Sequence, residues 1–324
     1  MKSDELLKLS DVLDKDVEFF LDPFTVVAEA QYSWRASPDL PKSELDRFES
    51  EASGWIGMLR WLRQLESSAH SPLKYALQLD IHSTFELAQR HAELLVEQHQ
   101  LGPVPALKLV DWIEKQLDIP ILFVDTGRRL KQGAISGAAC HLRELGVILV
   151  NRHESAPRRY FDLAHELFHT LTWEAMLPDY RESNSIEDRK SAHRVEQLAN
   201  NFAAALLMPR ATLDSLIDQT RLNDAHHLAE IAKQLRVTAD ALGWRLLNLR
   251  MIDKPTRAEL SQQKHTDVEE ELPRLFSLAF VRLLHLALEK GQVSARRAAK
   301  ALGMPLSELA ALFTLYDLPA PFEL

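Results

Sequence analysis

Two histidines, His165 and His169, lie four residues apart in a strongly helical pattern, and this spacing constrains the fold more than any other feature. At 3.6 residues per turn the two side chains are offset by about 40° and about 6 Å, so both rings point into one space. That spacing lets two imidazoles bind one Zn²⁺. Glu166, the next residue after His165, points to the flank of the pair and can reach a water on the ion, as a general base must.

A catalytic zinc needs a third protein ligand and an open fourth position. Glu196 is the candidate, because it lies on a second predicted helix whose alanines permit close packing against a neighbour. Asn200, one turn further on the same face, is placed to hold Glu196 or a histidine from behind. The alternatives are that the histidines merely pack in a core and that Glu196 belongs to a solvated helix face.

Composition narrows the class of protein. The chain has 324 residues, a net charge of −9 and one cysteine, Cys140. The acidic balance argues against DNA binding over the whole surface, since phosphate neutralisation requires cations. One cysteine excludes an internal disulfide and a four-cysteine zinc site, and it suits a reducing cytosol. No secretory signal and no stretch long enough to cross a membrane is apparent, so a cytoplasmic location is expected.

The elements before residue 101 are predicted to be helical, with a loop between Ser33 and Lys42 where two prolines occur. The helices expected there are Asp4–Leu13, Glu44–Leu65 and Leu73–Gln98.

From residue 102 the pattern changes to a mixture of helices and strands. Three short aliphatic strands are predicted, Ile119–Val124, Ala134–Ala139 and Val147–Val150. The predicted helices are Val104–Leu117, Arg158–Trp173 and Arg189–Met208, followed by helical patterns from Ala211 to Met251.

A polar segment from Asp253 to Glu269 is the best linker, and the rest of the chain is helical again. The predicted domains are therefore an N-terminal helical region (1–101), a metal-binding domain (102–255) and a C-terminal helical domain (256–324).

The segments from Arg158 to His169 and from Glu196 to Pro209 resemble the ImmA/IrrE family of metallopeptidases. The resemblance implies an α+β, zincin-like core, a small twisted sheet with active-site helices, flanked here by helical regions. It also implies His165, His169 and Glu196 as zinc ligands and Glu166 as the base. The family cleaves helix-turn-helix repressors, which releases stress, mobile-element or phage-defence genes, often after DNA damage.

Two hypotheses about function follow. The first is a zinc endopeptidase that cleaves a helix-turn-helix repressor, in which a zinc-activated water attacks the scissile carbonyl and Glu166 transfers the proton to the leaving amine. The second is a non-proteolytic regulator that uses the same fold to bind a repressor or DNA. Glu166 discriminates between them, because a binding-only relative has no need of that carboxylate. Three residues are candidates for the oxyanion donor: Tyr160, Tyr180 and His193.

Two further expectations concern the strands. An extended substrate often pairs with a sheet edge, and Ala134–Ala139 or Val147–Asn151 could supply that edge unless both are ordinary core strands. Cys140 follows the first of these. It is either a small buried hydrophobic residue, the favoured interpretation, or an inhibitory fourth zinc ligand that displaces the catalytic water.

The terminal regions carry weaker patterns. Glu5–Pro23 is similar to the final helices of a phage-repressor-type helix-turn-helix domain without its recognition helix. Ser294–Tyr316 has a helix-turn-helix pattern, but its second helix is almost wholly apolar, so packing or partner binding is favoured over base recognition. A basic patch leaves DNA contact open as the alternative, formed by Arg282, Arg296, Arg297 and Lys300.

Overall fold

The computed structural model describes residues 3–13, 16–26, 29–66, 76–126, 134–181, 190–263 and 270–323. It confirms the predicted α+β class, with one small mixed sheet and many helices. The chain forms two compact units. The sheet unit comprises Gln31–Leu40 and Ser71–Ser277, and the helical unit comprises Met1–Ala30, Pro41–His70 and Leu278–Leu324.

The sheet has four strands in the order β1-β3-β4-β2. Strand β3 pairs antiparallel with both β1 and β4, whereas β2 pairs parallel with β4. Both β3 and β4 are therefore central strands, and the expectation that they offer a free edge to a substrate is wrong. The strand bounds are β1 Gln31–Ala36, β2 Ile121–Val124, β3 Ile135–Leu142 and β4 Leu145–Asn151.

Strand β1 was not expected, since its second half falls in the predicted Ser33–Lys42 loop. Its Tyr32 and Trp34 are buried on one face, and the two prolines of that segment lie beyond the strand. This pattern of buried side chains is too short to predict a strand. The segment forms one because it pairs with β3, about a hundred residues later in the chain. A strand held by so distant a partner leaves little local signal.

Helix α6, Ala156–Thr172, packs against β3 and β4, and helix α7, Lys190–Leu207, packs against α6. Leu163, Leu167 and Phe168 of α6 meet the sheet and α7 in a continuous apolar core. Pro157 lies in the first turn of α6, where its missing N–H leaves no helical hydrogen bond unmade. These two helices are the elements predicted from the metal motif.

Other helices of the sheet unit surround this pair. The predicted helix from Val104 begins instead with a 3₁₀ turn, Pro105–Lys108, and the predicted helix from Leu73 begins at Phe85, with residues 73–75 outside the described part of the chain. The helices are α4 Phe85–Gln98, α5 Leu109–Lys115, α8 Arg210–Leu216, α9 Ala225–Gln234, α10 Ala239–Asn248 and α11 Lys254–Ser261.

Helix α11 occupies most of the described part of the predicted linker. Asp253 caps it by accepting from the Thr256 N–H, and Leu260 is fully buried in the same core as α10. The polar composition that suggested a linker belongs to the exposed side of a helix. The compact units accordingly differ from the predicted domains: neither residue 101 nor residue 255 is a boundary, and the sheet unit extends to Ser277.

In the helical unit, α3 packs against α12 and α13. Gly57 of α3 lies against the backbone of Phe24, and Gly54 lies against the carbonyl of Ala301, so side chains at these positions would prevent the close approach. The bounds are α1 Ser3–Leu13, α2 Val17–Leu21, α3 Lys42–Leu65, α12 Leu278–Glu289, α13 Ala295–Leu302 and α14 Leu306–Leu315.

Within the described ranges, no single helix has the length and apolar character needed to cross a bilayer. The bent pair of α13 and α14, at 87° to each other, meets the length and composition criteria only when the two helices are taken together.

Candidate metal centre

Helix α6 places the two histidines as their spacing predicts. The Nε2 atoms of His165 and His169 lie 3.0 Å apart, and each side chain is no more than 1% exposed. Their neighbours in the chain, Leu167 and Phe168, face the apolar core and hold the helix in place. The rings therefore converge at one buried point.

Helix α7 brings the carboxylate of Glu196 to the same point. Its Oε2 is 3.2 Å from Nε2 of His165, and its Oε1 is 3.5 Å from Nε2 of His169. Ala199 and Ala203 of α7 are fully buried, and their small side chains allow α7 to approach α6 closely. Burial alone would raise the pKa of Glu196, but the imidazoles of His169 and His165 hold that pKa well below its usual range.

The donor set fits a zinc ion. Ligand atoms about 2.0–2.1 Å from a tetrahedral zinc lie roughly 3.3 Å from each other. Here the two histidine nitrogens are 3.0 Å apart, and each lies 3.2 or 3.5 Å from a different carboxylate oxygen of Glu196. Among the described residues, His165, His169 and Glu196 form the group of potential metal ligands whose atoms all lie within 4.8 Å of one another. Two nitrogens and one carboxylate leave a fourth position for water and substrate.

Asn200 supports this set from one side. Its Oδ1 lies 3.1 Å from Nδ1 of His165, so the amide oxygen accepts a hydrogen bond from the ring N–H and leaves Nε2 unprotonated for a metal. Of the two arrangements predicted for Asn200, the structure has the one with a histidine. The Nδ1 atom of His169 is buried and has no hydrogen-bond partner among the described residues.

Glu166 is completely buried beside the pair. Gly137 of β3 lies close to it, since an added Cβ there would lie 3.6 Å from Cγ and 3.8 Å from Oε1 of Glu166. The same Cβ would lie only 2.8 Å from the carbonyl oxygen of Leu149 on β4, so a side chain at position 137 would push the strands apart. The sequence does not predict this role of Gly137, because no local pattern distinguishes a strand glycine that contacts a helix.

The structure does not bring Cys140 to this site. Gly137 faces α6, and successive residues of a strand point to opposite faces, so Cys140 faces the other side of the sheet. Its pairing partners Tyr32 and Val147 lie on that side too. Cys140 is 1% exposed, which agrees with the favoured interpretation as a small buried residue and contradicts the inhibitory fourth ligand.

The structure places the three candidates for the oxyanion donor in different surroundings. Tyr160 lies about 140° around α6 from His165 and donates its hydroxyl hydrogen to Oε2 of Glu270, 3.1 Å away, so it is directed away from the triad of His165, His169 and Glu196. Tyr180 and His193 are exposed, and His193 lies 3.0 Å from the side-chain nitrogen of Gln197. For these two, the assignment stays a prediction.

The structure also contains an ion pair next to the triad that the sequence did not predict. Nε of Arg35, on β1, lies 3.1 Å from Oδ1 of Asp162, whose side chain is 2% exposed. Asp162 precedes His165 by three residues and so shares its helix face, which is a signal that the sequence contained. Arg35 had no such signal, because it reaches α6 only through the pairing of β1 with β3.

Comparison with known proteins bears on this arrangement. Residues 115–247 match the peptidase family described as the IrrE N-terminal-like domain. A protein of Deinococcus deserti named Radiation response metalloprotease IrrE is 38% identical over 98 residues, which are 29% of this chain and 33% of that protein. The protein of the same name in Deinococcus radiodurans is 33% identical over 102 residues, 30% of each chain.

The chain spans about a third of the length of these relatives. The matched family segment includes both helices of the triad, and strand β1 lies outside it. Fold and match together confirm the resemblance stated above. Residues 115–247 of this chain are therefore similar to the IrrE-type metallopeptidases.

Proposed function

We propose that the protein is a zinc-dependent endopeptidase whose substrate is a helix-turn-helix transcriptional repressor. The observation that carries the proposal is the convergence of His165, His169 and Glu196, with the buried carboxylate of Glu166 beside them. A structural zinc site is closed by four protein ligands, whereas three ligands with an adjacent carboxylate are typical of a hydrolytic site.

The chain's own residues account for most of the reaction. When bound, zinc supplies a Lewis acid that lowers the pKa of a water molecule and polarises the scissile carbonyl. Glu166 accepts a proton from the attacking water as its oxygen bonds to the carbonyl carbon, and gives that proton to the amine as the C–N bond breaks. Gly137 allows β3 to pass close to the Glu166 side chain, and Asn200 holds the ring of His165.

The repressor substrate and its biological setting belong to the same proposal. They are supported by the family resemblance and by two relatives whose names describe a radiation response. Cleavage would derepress genes for stress, DNA-damage or phage-defence responses, in the cytoplasm where such repressors bind DNA. A regulator that binds a repressor or DNA without cleaving it is the alternative, and the experiment below distinguishes the two.

The test uses purified protein loaded with zinc and a helix-turn-helix repressor encoded next to its gene. Wild type is expected to cleave the repressor, with fragments identified by mass spectrometry. Glu166→Gln should slow cleavage by about 10²–10⁴-fold and keep its zinc, because the carboxamide cannot accept the proton. Glu97→Gln removes an exposed carboxylate from α4 and should cleave at the wild-type rate.

Two outcomes would contradict the proposal. If Glu166→Gln cleaves as fast as wild type, the carboxylate is not the base. If wild type and Glu166→Gln both leave the repressor intact yet both relieve repression of its promoter, the protein is a binding regulator.

A further inference from the structure

A cleft of about 680 Å³ lies in the sheet unit, in the size range of ligand sites. Helices α6, α7 and α10 form its walls, and Arg35 of β1 closes part of it. Its lining includes the side chains of Phe161, Asn200, Ala204, Ala241, Trp244 and Arg245.

The cleft lies along the same faces of α6 and α7 as the metal ligands. On α6, Arg158 and Phe161 line the cleft and precede His165 by seven and four residues, so all three share one helix face. On α7, Asn200 and Ala204 follow Glu196 by four and eight residues and also share a face. One helical turn, about 5.4 Å, therefore separates the triad from the nearest part of the cleft.

Asn200 contacts both the cleft and the metal ligands, because it lines the cleft and accepts a hydrogen bond from His165. An extended peptide advances about 3.3 Å per residue. A peptide whose scissile bond lies at the triad would therefore place a residue about two to four positions away in the cleft.

Trp244 is the most unusual residue of the lining. It is 48% exposed, although large aromatic side chains are usually well buried, and the Arg257 guanidinium lies 4.1 Å from the ring centroid. That cation fixes the indole in position by covering the ring. Phe161, Ala204 and Ala241 add apolar surface around the same space.

The charges around the cleft are paired. Asp162 pairs with Arg35, and Nε of Arg158 lies 3.4 Å from Oε2 of Glu154. Asp240 pairs with Arg257, and Arg245 pairs with Glu93. A charged occupant would find no unbalanced partner, so the lining favours an apolar side chain over an acidic or basic one.

Arg245 offers a contact for the backbone of an occupant. Its side chain is 1% exposed, its Nε donates to the carbonyl of Met208, and its Nη1 is buried with no hydrogen-bond partner among the described residues. A buried guanidinium N–H without an acceptor is unfavourable, and a peptide carbonyl in the cleft would satisfy it.

We propose that this cleft binds the substrate segment next to the scissile bond, and that Trp244 takes a large apolar or aromatic side chain about two to four residues from that bond. The proposal rests on the proposed peptidase function and adds to it the class of side chain that the enzyme selects. Tryptophan is one of the residue types enriched among the few positions that contribute most of the binding free energy at protein interfaces.

The test is a peptide library digested with zinc-loaded protein, with cleavage sites read by mass spectrometry. Wild type should enrich Phe, Tyr, Trp, Leu or Met at one position two to four residues from the cleaved bond. Trp244→Ala should lose that enrichment and cleave the preferred peptides with a KM raised about tenfold or more and little change in kcat. Trp244→Phe should keep most of the preference.

Leu107→Ala is the matched control, since Leu107 is 60% exposed in the same unit and lies outside the cleft. It should leave the preference unchanged. The zinc-loaded Glu166→Gln protein, with and without Trp244→Ala, provides a second measurement: binding of the best peptide should weaken about tenfold in the double variant.

The possible failures are distinct. If Trp244→Ala cleaves the same sites with the same preference, the cleft proposal is wrong and the peptidase stands. If zinc-loaded wild type cleaves no peptide and no repressor, both proposals are wrong. Equal zinc content and unfolding temperature for all variants would exclude misfolding as the cause of a lost preference.

Discussion

The sheet unit and the helical unit differ in what they bury. The sheet unit buries ionisable side chains that include His165, Glu166 and His169, whereas His285 is the one buried polar or charged residue of the helical unit among those described. Both units have extensive apolar cores. The difference therefore lies in the polar groups and not in the amount of apolar packing.

Burying charged groups is unfavourable unless partners or a metal compensate. The sheet unit tolerates this because its ligands converge on one point, while His285 meets an ordinary partner, the carbonyl of Pro319, 2.8 Å away. Among the described residues, the group of potential metal ligands therefore lies in the unit that buries most of the polar side chains.

The largest effect is expected from removing a ligand. Glu196→Ala or His169→Ala should weaken zinc binding by about a hundredfold or more, because each ligand supplies a large share of the binding free energy. Zinc per chain, measured by mass spectrometry after dialysis, should fall from about one to near zero. His285→Gln should keep full zinc, and zinc loss in that control would contradict the contrast between the units.

Close packing in the helical unit gives the second prediction. Gly57→Ala should lower the free energy of unfolding by about 1–3 kcal/mol, because its Cβ would overlap the backbone of Phe24. Urea unfolding measures the change. Ser50→Ala, at an exposed position of the same helix, should change stability by no more than about 0.5 kcal/mol. A stable Gly57→Ala protein would show that α3 is less tightly packed than the structure indicates.

The third prediction concerns support for a ligand. Asn200→Ala should weaken zinc affinity about 10–100-fold, because the ring of His165 loses the acceptor that orients it. Competition with a chelator measures the affinity. Asn200→Asp keeps an acceptor and should restore most of it. Asn201→Ala is the control, since Asn201 bonds instead to Gln89 and the backbone of Gln197; equal losses in both alanine variants would refute the specific role.

The smallest effect is a pH dependence at Tyr160. Burial, and then the carboxylate of Glu270, raise the pKa of Tyr160 to about 12, with Arg159 and Arg236 opposing the shift. The pKa of Tyr160 in the folded protein exceeds the ordinary value of about 10. The stability contributed by its protonated hydroxyl is therefore intact below pH 10 and is lost as pH rises towards 12. Thermal unfolding between pH 8 and 11 should show a shallower alkaline decline for Tyr160→Phe. An unchanged slope would contradict the assignment.

The sequence predicted the metal helices well because their signals are local. The four-residue spacing of His165 and His169 and the alanines of α7 depend only on helical periodicity. The elements that the sequence did not predict depend on residues far away in the chain. Strand β1 exists because β3 pairs with it, and α11 folds onto α10 although its composition resembles a linker. Cys140 shows why the face of a strand residue is hard to predict, since a shift of one position along the strand moves a side chain to the opposite face of the sheet.

Short-range spacing along the chain is enough to predict the α+β class, the two helices, the candidate triad and the family resemblance. Three other relations are visible only in the folded chain: Asn200 supports His165, Gly137 lies against Glu166, and Trp244 lines a cleft on the same helix faces as the ligands. These relations join residues from separate elements. Their physical basis is the packing of helices and strands against each other, which no local pattern encodes.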